Sequence, residues 1–132
     1  MAQTDDALSE MKKIRSELDQ HGEMLDALVR YDPRVRDSIL EEFKDDRVLS
    51  IVYLLINGLR TQQQIVEELK KLGIKGTSAP MVTRKITTLR RHMRVITPAD
   101  KDGRSWIYAH NRLGRALNLT RNIQRMHSFD VQ

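Results

Sequence analysis

The feature that most constrains the fold is residues 98–117, "PADKDGRSWIYAHNRLGRAL", which lie between two patterns of helical spacing. A charged tip around Asp102-Gly103 separates two short apolar runs, and an Asp-Gly pair in that setting is typical of a tight β-hairpin. We therefore predict that Val95–Thr97 and Arg104–Ala109 pair as strands. The charged tip of this hairpin is a candidate contact surface.

Two helices are predicted between residues 46 and 73. The segment "DDRVLSIVYLLING" is apolar almost all round, which is typical of a buried central helix, and Gly58 would close it. The next segment, "TQQQIVEELKKLG", starts with a capping box formed by Thr61 and Gln64 and ends at Gly73. Its predicted buried residues are Ile65, Val66, Leu69 and Leu72.

The helix predicted over residues 79–94 has one apolar and one cationic face. Thr77 or Ser78 is its predicted N-cap. The side chains spaced for burial are Val82, Ile86, Leu89 and Met93. The opposite face carries Met81, Thr83, Arg84, Thr87, Thr88 and Arg91, flanked by Lys85 and Arg90. No Asp or Glu occurs from 79 to 99, so no carboxylate would repel a phosphate there.

Charge divides the chain into an acidic and a basic part. Residues 1–46 hold 7 Lys/Arg and 13 Asp/Glu, whereas residues 47–132 hold 16 Lys/Arg and 5 Asp/Glu. A basic stretch of this kind indicates a surface that faces a polyanion. The alternative is a solvated basic surface that only keeps the domain soluble. Such surfaces mix both signs, whereas residues 79–115 hold nine Lys/Arg against two Asp.

The cationic helix and the hairpin tip match the chemistry of duplex DNA. Arg can bond to guanine O6 and N7 in the major groove, and Thr can reach bases or phosphates. We predict that helix 79–94 enters the major groove and that hairpin 97–105, the wing, lies against the minor groove or the backbone. The predicted wing contacts are Lys101 and Arg104, with Asp102 holding Arg104 in place.

The N-terminal part contains a heptad pattern. A 3-4-3-4-3 spacing within residues 7–29 is typical of an amphipathic helix that pairs with another helix. The predicted dimerisation residues are Met11, Ile14, Leu18, His21, Leu25 and Leu28. Because a lone helix of this length is marginal in water, we expect it to pair with a second chain. Asp32 and Pro33 start the next helix, and a last helix, capped by Asn111, is expected to help the dimer.

The sequence lacks the residues that several classes of functional site require. The chain has no cysteine, which removes disulfides and thiolate zinc sites, and its four histidines lack metal-binding spacing. It contains no phosphate-binding Gly-rich loop and no nucleophile motif, so we expect neither an enzyme nor a cofactor. With no secretory signal and no apolar run that could span a bilayer, we expect a soluble, cytoplasmic protein without a membrane partner.

Residues 47–117 resemble the MarR-type regulators. The wing of that family carries Asp-x-Arg, followed by Leu-Thr-x-x-Gly, and this chain has Asp102-x-Arg104 and Gly114 at the same spacing. Asn111 replaces the Thr of that motif and can still cap a helix. The segments "TQQQIVEEL" and "SAPMVTRKITTL" are similar to the family's helix-turn-helix.

The resemblance implies a fold and a set of contacts. Arg104 would be the wing arginine that enters the minor groove, and Arg84, Thr83 and Thr87 would read the major groove. It also implies small phenolic or lipophilic effectors, although no pocket for a small-molecule effector is indicated by the sequence. The PadR-like, ArsR-like and several archaeal winged-helix families remain open.

Together these patterns predict a mainly α-helical chain with a small β-hairpin, a winged helix-turn-helix domain preceded by a coiled-coil-like helix. The predicted parts are residues 1–31 for dimerisation, 32–117 for DNA binding, and 118–132 for the end of the last helix and a tail. The expected function is a homodimeric, sequence-specific regulator of transcription that binds double-stranded DNA. Two alternatives remain open: an architectural protein that organises chromosome or plasmid DNA with little sequence preference, and a winged helix that binds a protein partner.

Overall fold

A computed structural model of the chain describes residues 33–127. Its elements, in chain order, are α1 Pro33–Asp45, α2 Arg47–Leu55, α3 Gln62–Lys71, α4 Ala79–Thr87 followed by a π-helical turn Thr88–His92, β1 Ile96–Asp102, β2 Ser105–His110, α5 Arg112–Ala116 and α6 Leu119–His127. The two strands form an antiparallel hairpin. Helix accounts for 63% of the described residues, so the predicted mainly helical chain with a small hairpin is confirmed.

Some predictions concern segments outside the described residues. The heptad helix within 7–29 and its six dimerisation residues belong to this group, as do the Asp32 cap and residues 128–132. Within residues 33–127, no helix is both long enough and apolar enough to cross a membrane.

Side-chain caps fix where four of the described helices begin. Asp46 caps α2 with its carboxylate. The predicted capping box of Thr61 and Gln64 is present at α3, with N–H···O distances of 2.8 and 3.2 Å. At α4 the cap is Ser78 and not Thr77. At α5 the predicted cap is confirmed, since the Asn111 Oδ1 accepts the Gly114 N–H at 3.0 Å. Each cap of this kind contributes roughly 0.5–2 kcal/mol, so the helix boundaries depend on local sequence.

The core is built around α2, as its apolar sequence predicts. Tyr53 and Val52 of α2 are both 0% exposed. The predicted buried face of α4 is confirmed for all four residues: Val82, Ile86, Leu89 and Met93. The predicted burial of Leu72 is wrong, since this side chain is 50% exposed. It follows the last residue of α3, and Gly73, with a φ of 75°, ends the helix directly after it.

The hairpin is longer than predicted. β1 extends through the charged segment to Asp102, because it pairs with the apolar residues of β2. Arg104 lies in the turn beside Gly103, not at the start of a strand. Gly103 has a φ of 63°, a backbone conformation that glycine adopts without strain. The register shifts between Pro98 and Asp100, so β1 contains a bulge.

Two backbone contacts join the hairpin to the helices. Thr61, at the start of α3, forms a bridge with Ile107 of β2. The Gly58 N–H donates to the Tyr108 carbonyl at 2.9 Å. The hairpin is therefore fixed against the segment that connects α2 and α3.

The prediction of one last helix is wrong, because the chain forms two. Asn118, between α5 and α6, has a φ of 54°, which an α-helix cannot contain. The Asn122 side chain donates to the Leu117 carbonyl across the break at 3.1 Å. Beyond the break, Leu119 and Ile123 are 0% exposed. Because α6 packs against α1 and α2, its apolar side belongs to the core of this chain.

Gly114 lies where α5 approaches Tyr53 and the start of β1. A Cβ atom at position 114 would be 2.5 Å from the Tyr53 Oη and 2.9 Å from the Val95 carbonyl oxygen. The carbonyl cannot easily move, since it accepts the Asn111 N–H at 3.1 Å. Glycine is therefore required here by close packing.

His110 closes the base of the hairpin against α2. Its ring stacks on Tyr53 with centroids 3.9 Å apart and an interplanar angle of 2°. Its Nε2–H donates to the Tyr53 carbonyl at 2.6 Å, because a carbonyl can only accept. Burial lowers the pKa of His110 below its usual 6.5, and the nearby Arg115 lowers it further, although the hydrogen bond opposes them.

Gly114→Ala should destabilise the fold by up to about 2 kcal/mol. The overpacking costs about 1–3 kcal/mol, and alanine recovers roughly 1 kcal/mol of helix propensity. Urea denaturation followed by circular dichroism measures the change. Tyr53→Phe removes the nearer atom, so G114A should cost less in the Y53F background. Equal costs in both backgrounds would contradict the clash with Tyr53.

Folding stability should fall as the pH drops below about 6.5, where the unfolded chain takes up the His110 proton before the folded one does. The wild-type urea midpoint should therefore decrease from about pH 7.5 to pH 5 by more than that of His110→Gln. The other titrating groups are common to both proteins and cancel in this comparison. The same pH dependence in both would rule out His110 as the cause.

Candidate nucleic-acid interface

The outer face of α4 and its π-helical turn is polar and cationic. Arg84, Thr87 and Arg91 are exposed opposite the buried face. Thr83 is exposed beside them, and Thr88 is half-buried. The predicted helix residues at the centre of this face are thus brought together on one surface.

A π-helical turn ends this helix, where the sequence predicts an unbroken α-helix to residue 94. The Met93 N–H donates to the Thr88 carbonyl, five residues earlier, at 2.9 Å. Leu89 and Met93, both part of the turn that this hydrogen bond closes, are in the core, at 0% and 6% exposure. Turns of this type are often found at functional sites.

The threonine hydroxyls on this face are engaged with their own helix. The hydroxyls of Thr83, Thr87 and Thr88 each donate to the carbonyl four residues earlier, at 2.9, 2.8 and 3.1 Å. A hydroxyl has a single hydrogen to donate, so in this state these side chains can only accept. Amino groups of bases can bond to them, whereas phosphate oxygens cannot. Donors at the centre of this face therefore come from Arg84 and Arg91.

Two residues of the predicted helix site are held by contacts within the chain. The Lys85 Nζ lies 2.6 Å from the Asp46 Oδ2, and the Lys85 side chain is 28% exposed. Met81 is half-buried and packs against the core. Lys85 therefore joins α4 to the start of α2.

Arg90 extends towards the hairpin. Its guanidinium lies 5.9 Å from the centroid of the Tyr108 ring, a cation–π geometry. Arg90 is exposed and Tyr108 is 8% exposed. This contact links the π-helical turn to β2.

The hairpin tip presents two exposed cations, Lys101 and Arg104. Lys101 faces Trp106 across the hairpin, and its Nζ lies 4.9 Å from the centroid of the indole ring. Asp102, which the sequence assigns to hold Arg104, forms no ion pair with it in the part of the chain that the structure describes. Arg104 is therefore not neutralised by this carboxylate.

A cleft of about 270 Å³ separates the hairpin tip from the N-terminal ends of α3 and α4. Its lining comprises Gln62, Gln63, Val66, Ala79, Arg104, Ser105 and Trp106. The Gln62 side-chain amide also contacts the Thr83 hydroxyl, so the cleft adjoins the outer face of α4. The two glutamines are not among the site residues predicted from the sequence. Their position directly after the Thr61 cap could have indicated an accessible helix end.

The histidines of the described segment contact neighbouring groups of the chain. His92 Nε2 lies 3.0 Å from the Glu42 carboxylate. His127 Nε2 lies 2.8 Å from the Phe43 carbonyl and 3.2 Å from the Ser50 hydroxyl. Residues 33–127 contain no group of three His, Asp or Glu side chains that could hold a metal ion.

Comparison of the chain with protein-family models, curated proteins and solved structures finds no match. The candidate interface is therefore defined by its own geometry. It consists of the outer face of α4, the hairpin tip and the cleft between them.

Proposed function

We propose that the protein is a sequence-specific regulator of transcription that binds double-stranded DNA as a homodimer through a winged helix-turn-helix domain. The observation that carries this proposal is the exposure of Arg84 and Arg91 on a helix face with no carboxylate from 79 to 99. Guanidinium groups pair bidentately with guanine edges and with phosphates. The resemblance to MarR-type regulators belongs to the same proposal.

The arrangement of the elements supports this assignment. α3 and α4 pack against each other and are joined by the short connection 72–78, as in a helix-turn-helix. In this proposal α4 is the recognition helix and the hairpin is the wing. The bridge between Thr61 and Ile107 fixes the wing beside the start of α3. The wing and α4 could then contact the same duplex.

The contacts divide between the grooves and the backbone. Arg84 and Arg91 would donate to base edges in the major groove. Lys101 and Arg104 would contact the minor groove or the phosphates beside it. Lys85 has a partner in Asp46, so we assign it to positioning of α4 instead of DNA contact.

A second copy of the chain would provide the further DNA contacts that one domain cannot make. One small module touches few bases, and two modules related by a twofold axis bind half-sites about one helical turn apart. The heptad segment within 7–29 is the proposed interface. In this proposal the apolar side of α6 would contribute little to the dimer, because Leu119 and Ile123 are already buried within one chain.

Binding without sequence preference is the second candidate. It is favoured by the exposed guanidinium and ammonium groups on α4 and at the hairpin tip, which can bind phosphates of any sequence. In that case the phosphate contacts of these Lys and Arg side chains would contribute most of the affinity.

Arg84→Ala should weaken binding to a duplex selected for affinity by roughly 1–3 kcal/mol, with little effect on random DNA. Arg104→Ala should weaken binding to every duplex. It should also reduce the slope of log affinity against log salt concentration by about one unit. Fluorescence anisotropy of labelled duplexes measures both.

Lys85→Ala is the matched control, because it removes one charge from the same helix but from an amine already paired with Asp46. It should change DNA affinity much less than Arg84→Ala. Equal losses in these two variants, with an unchanged urea midpoint for Lys85→Ala, would show that only net charge matters. Unchanged binding in both arginine variants would contradict the assigned interface.

A further inference from the structure

Arg94, between the π-helical turn and β1, has a left-handed backbone conformation. Its φ is 59°, and Asn118, with a φ of 54°, is the other non-glycine residue of the described chain with a positive φ. Asparagine tolerates this region comparatively well, whereas arginine pays a steric cost that glycine avoids. An arginine at this position is therefore unfavourable for the backbone.

The core imposes this conformation on Arg94. Its neighbours Met93 and Val95 are 6% and 0% exposed. The Val95 N–H donates to the Leu89 carbonyl at 3.0 Å, and the Arg94 carbonyl accepts from the Asn111 side-chain amide at 2.6 Å. Both bonds use the backbone, so a residue of any type could make them.

The Arg94 side chain, unlike its backbone, does not stabilise this conformation. It is exposed and forms no hydrogen bond, ion pair or ring contact within residues 33–127. A favourable interaction with the end of the helix is already available from Arg90 and Arg91 in the last turn. Within residues 33–127, no side-chain contact therefore explains why this strained position holds an arginine and not a glycine.

We propose that the Arg94 guanidinium binds a phosphate diester of the DNA backbone, next to the groove that α4 enters. This inference rests on the proposed function. Arg94 follows Arg90 and Arg91 in a segment without carboxylates, at the point where the helix joins the hairpin. Because it lies beyond the end of the helix, it contacts backbone and not base edges, and its contribution is the same for every sequence. Strain retained at an exposed cation is consistent with a functional site.

Arg94→Gly separates this role from a structural one. It should leave the urea midpoint unchanged or raise it, because the backbone strain is relieved. It should weaken binding to random and selected duplexes by the same factor, several-fold at about 50 mM salt, and reduce the salt slope by about one. Arg94→Lys keeps a cation and should retain most of the affinity.

Asn118→Gly is the matched control, since it relieves the other positive φ but removes no charge. Its DNA affinity should equal that of the wild type. If wild type binds DNA and Arg94→Gly binds with the same affinity and slope, the inference is wrong and the proposed function stands. A lower urea midpoint for Arg94→Gly, with unchanged binding, would likewise assign Arg94 a structural role. If the wild type binds no duplex even at low salt, the proposed function fails, and this inference with it.

Discussion

The packing of α4 against α2 determines which side chains of α4 are exposed and can contact a ligand. Val82, Ile86 and Leu89 are at most 3% exposed, so α4 cannot rotate about its axis without moving them into water. Burial of one such side chain is worth about 1.5–3 kcal/mol, which makes that rotation costly. Arg84 and Arg91 are therefore directed outward by the core and not by contacts of their own.

Further contacts set the position of α4 relative to its neighbours. Asp46 uses one carboxylate oxygen to cap α2 and the other to bind Lys85, so a single side chain links two helices. On the other side, Arg90 lies over the Tyr108 ring and connects the helix to the hairpin. These contacts hold the helix face and the hairpin as parts of one surface, which is the arrangement that the proposed groove binding requires.

Much of the fold could be predicted from the sequence, because capping and helical spacing depend on near neighbours. The capping box at Thr61 and the buried face of α4 are of this kind. The features that could not be predicted depend on contacts between residues distant in sequence or on the exact residue at which a helix ends. The partner of Lys85 is 39 residues away in sequence. The exposure of Leu72 and the break at Asn118 follow from where a helix stops, which apolar spacing alone does not determine.

The central claim is that the exposed cationic surface binds duplex DNA. The most direct test is fluorescence anisotropy of a labelled random duplex, titrated with the full chain at about 50 and 200 mM salt. A dimer that makes about 6–10 phosphate contacts should lose on the order of a thousandfold or more in affinity between these conditions. Absence of binding at the lower concentration, or an affinity that salt does not change, would contradict the claim.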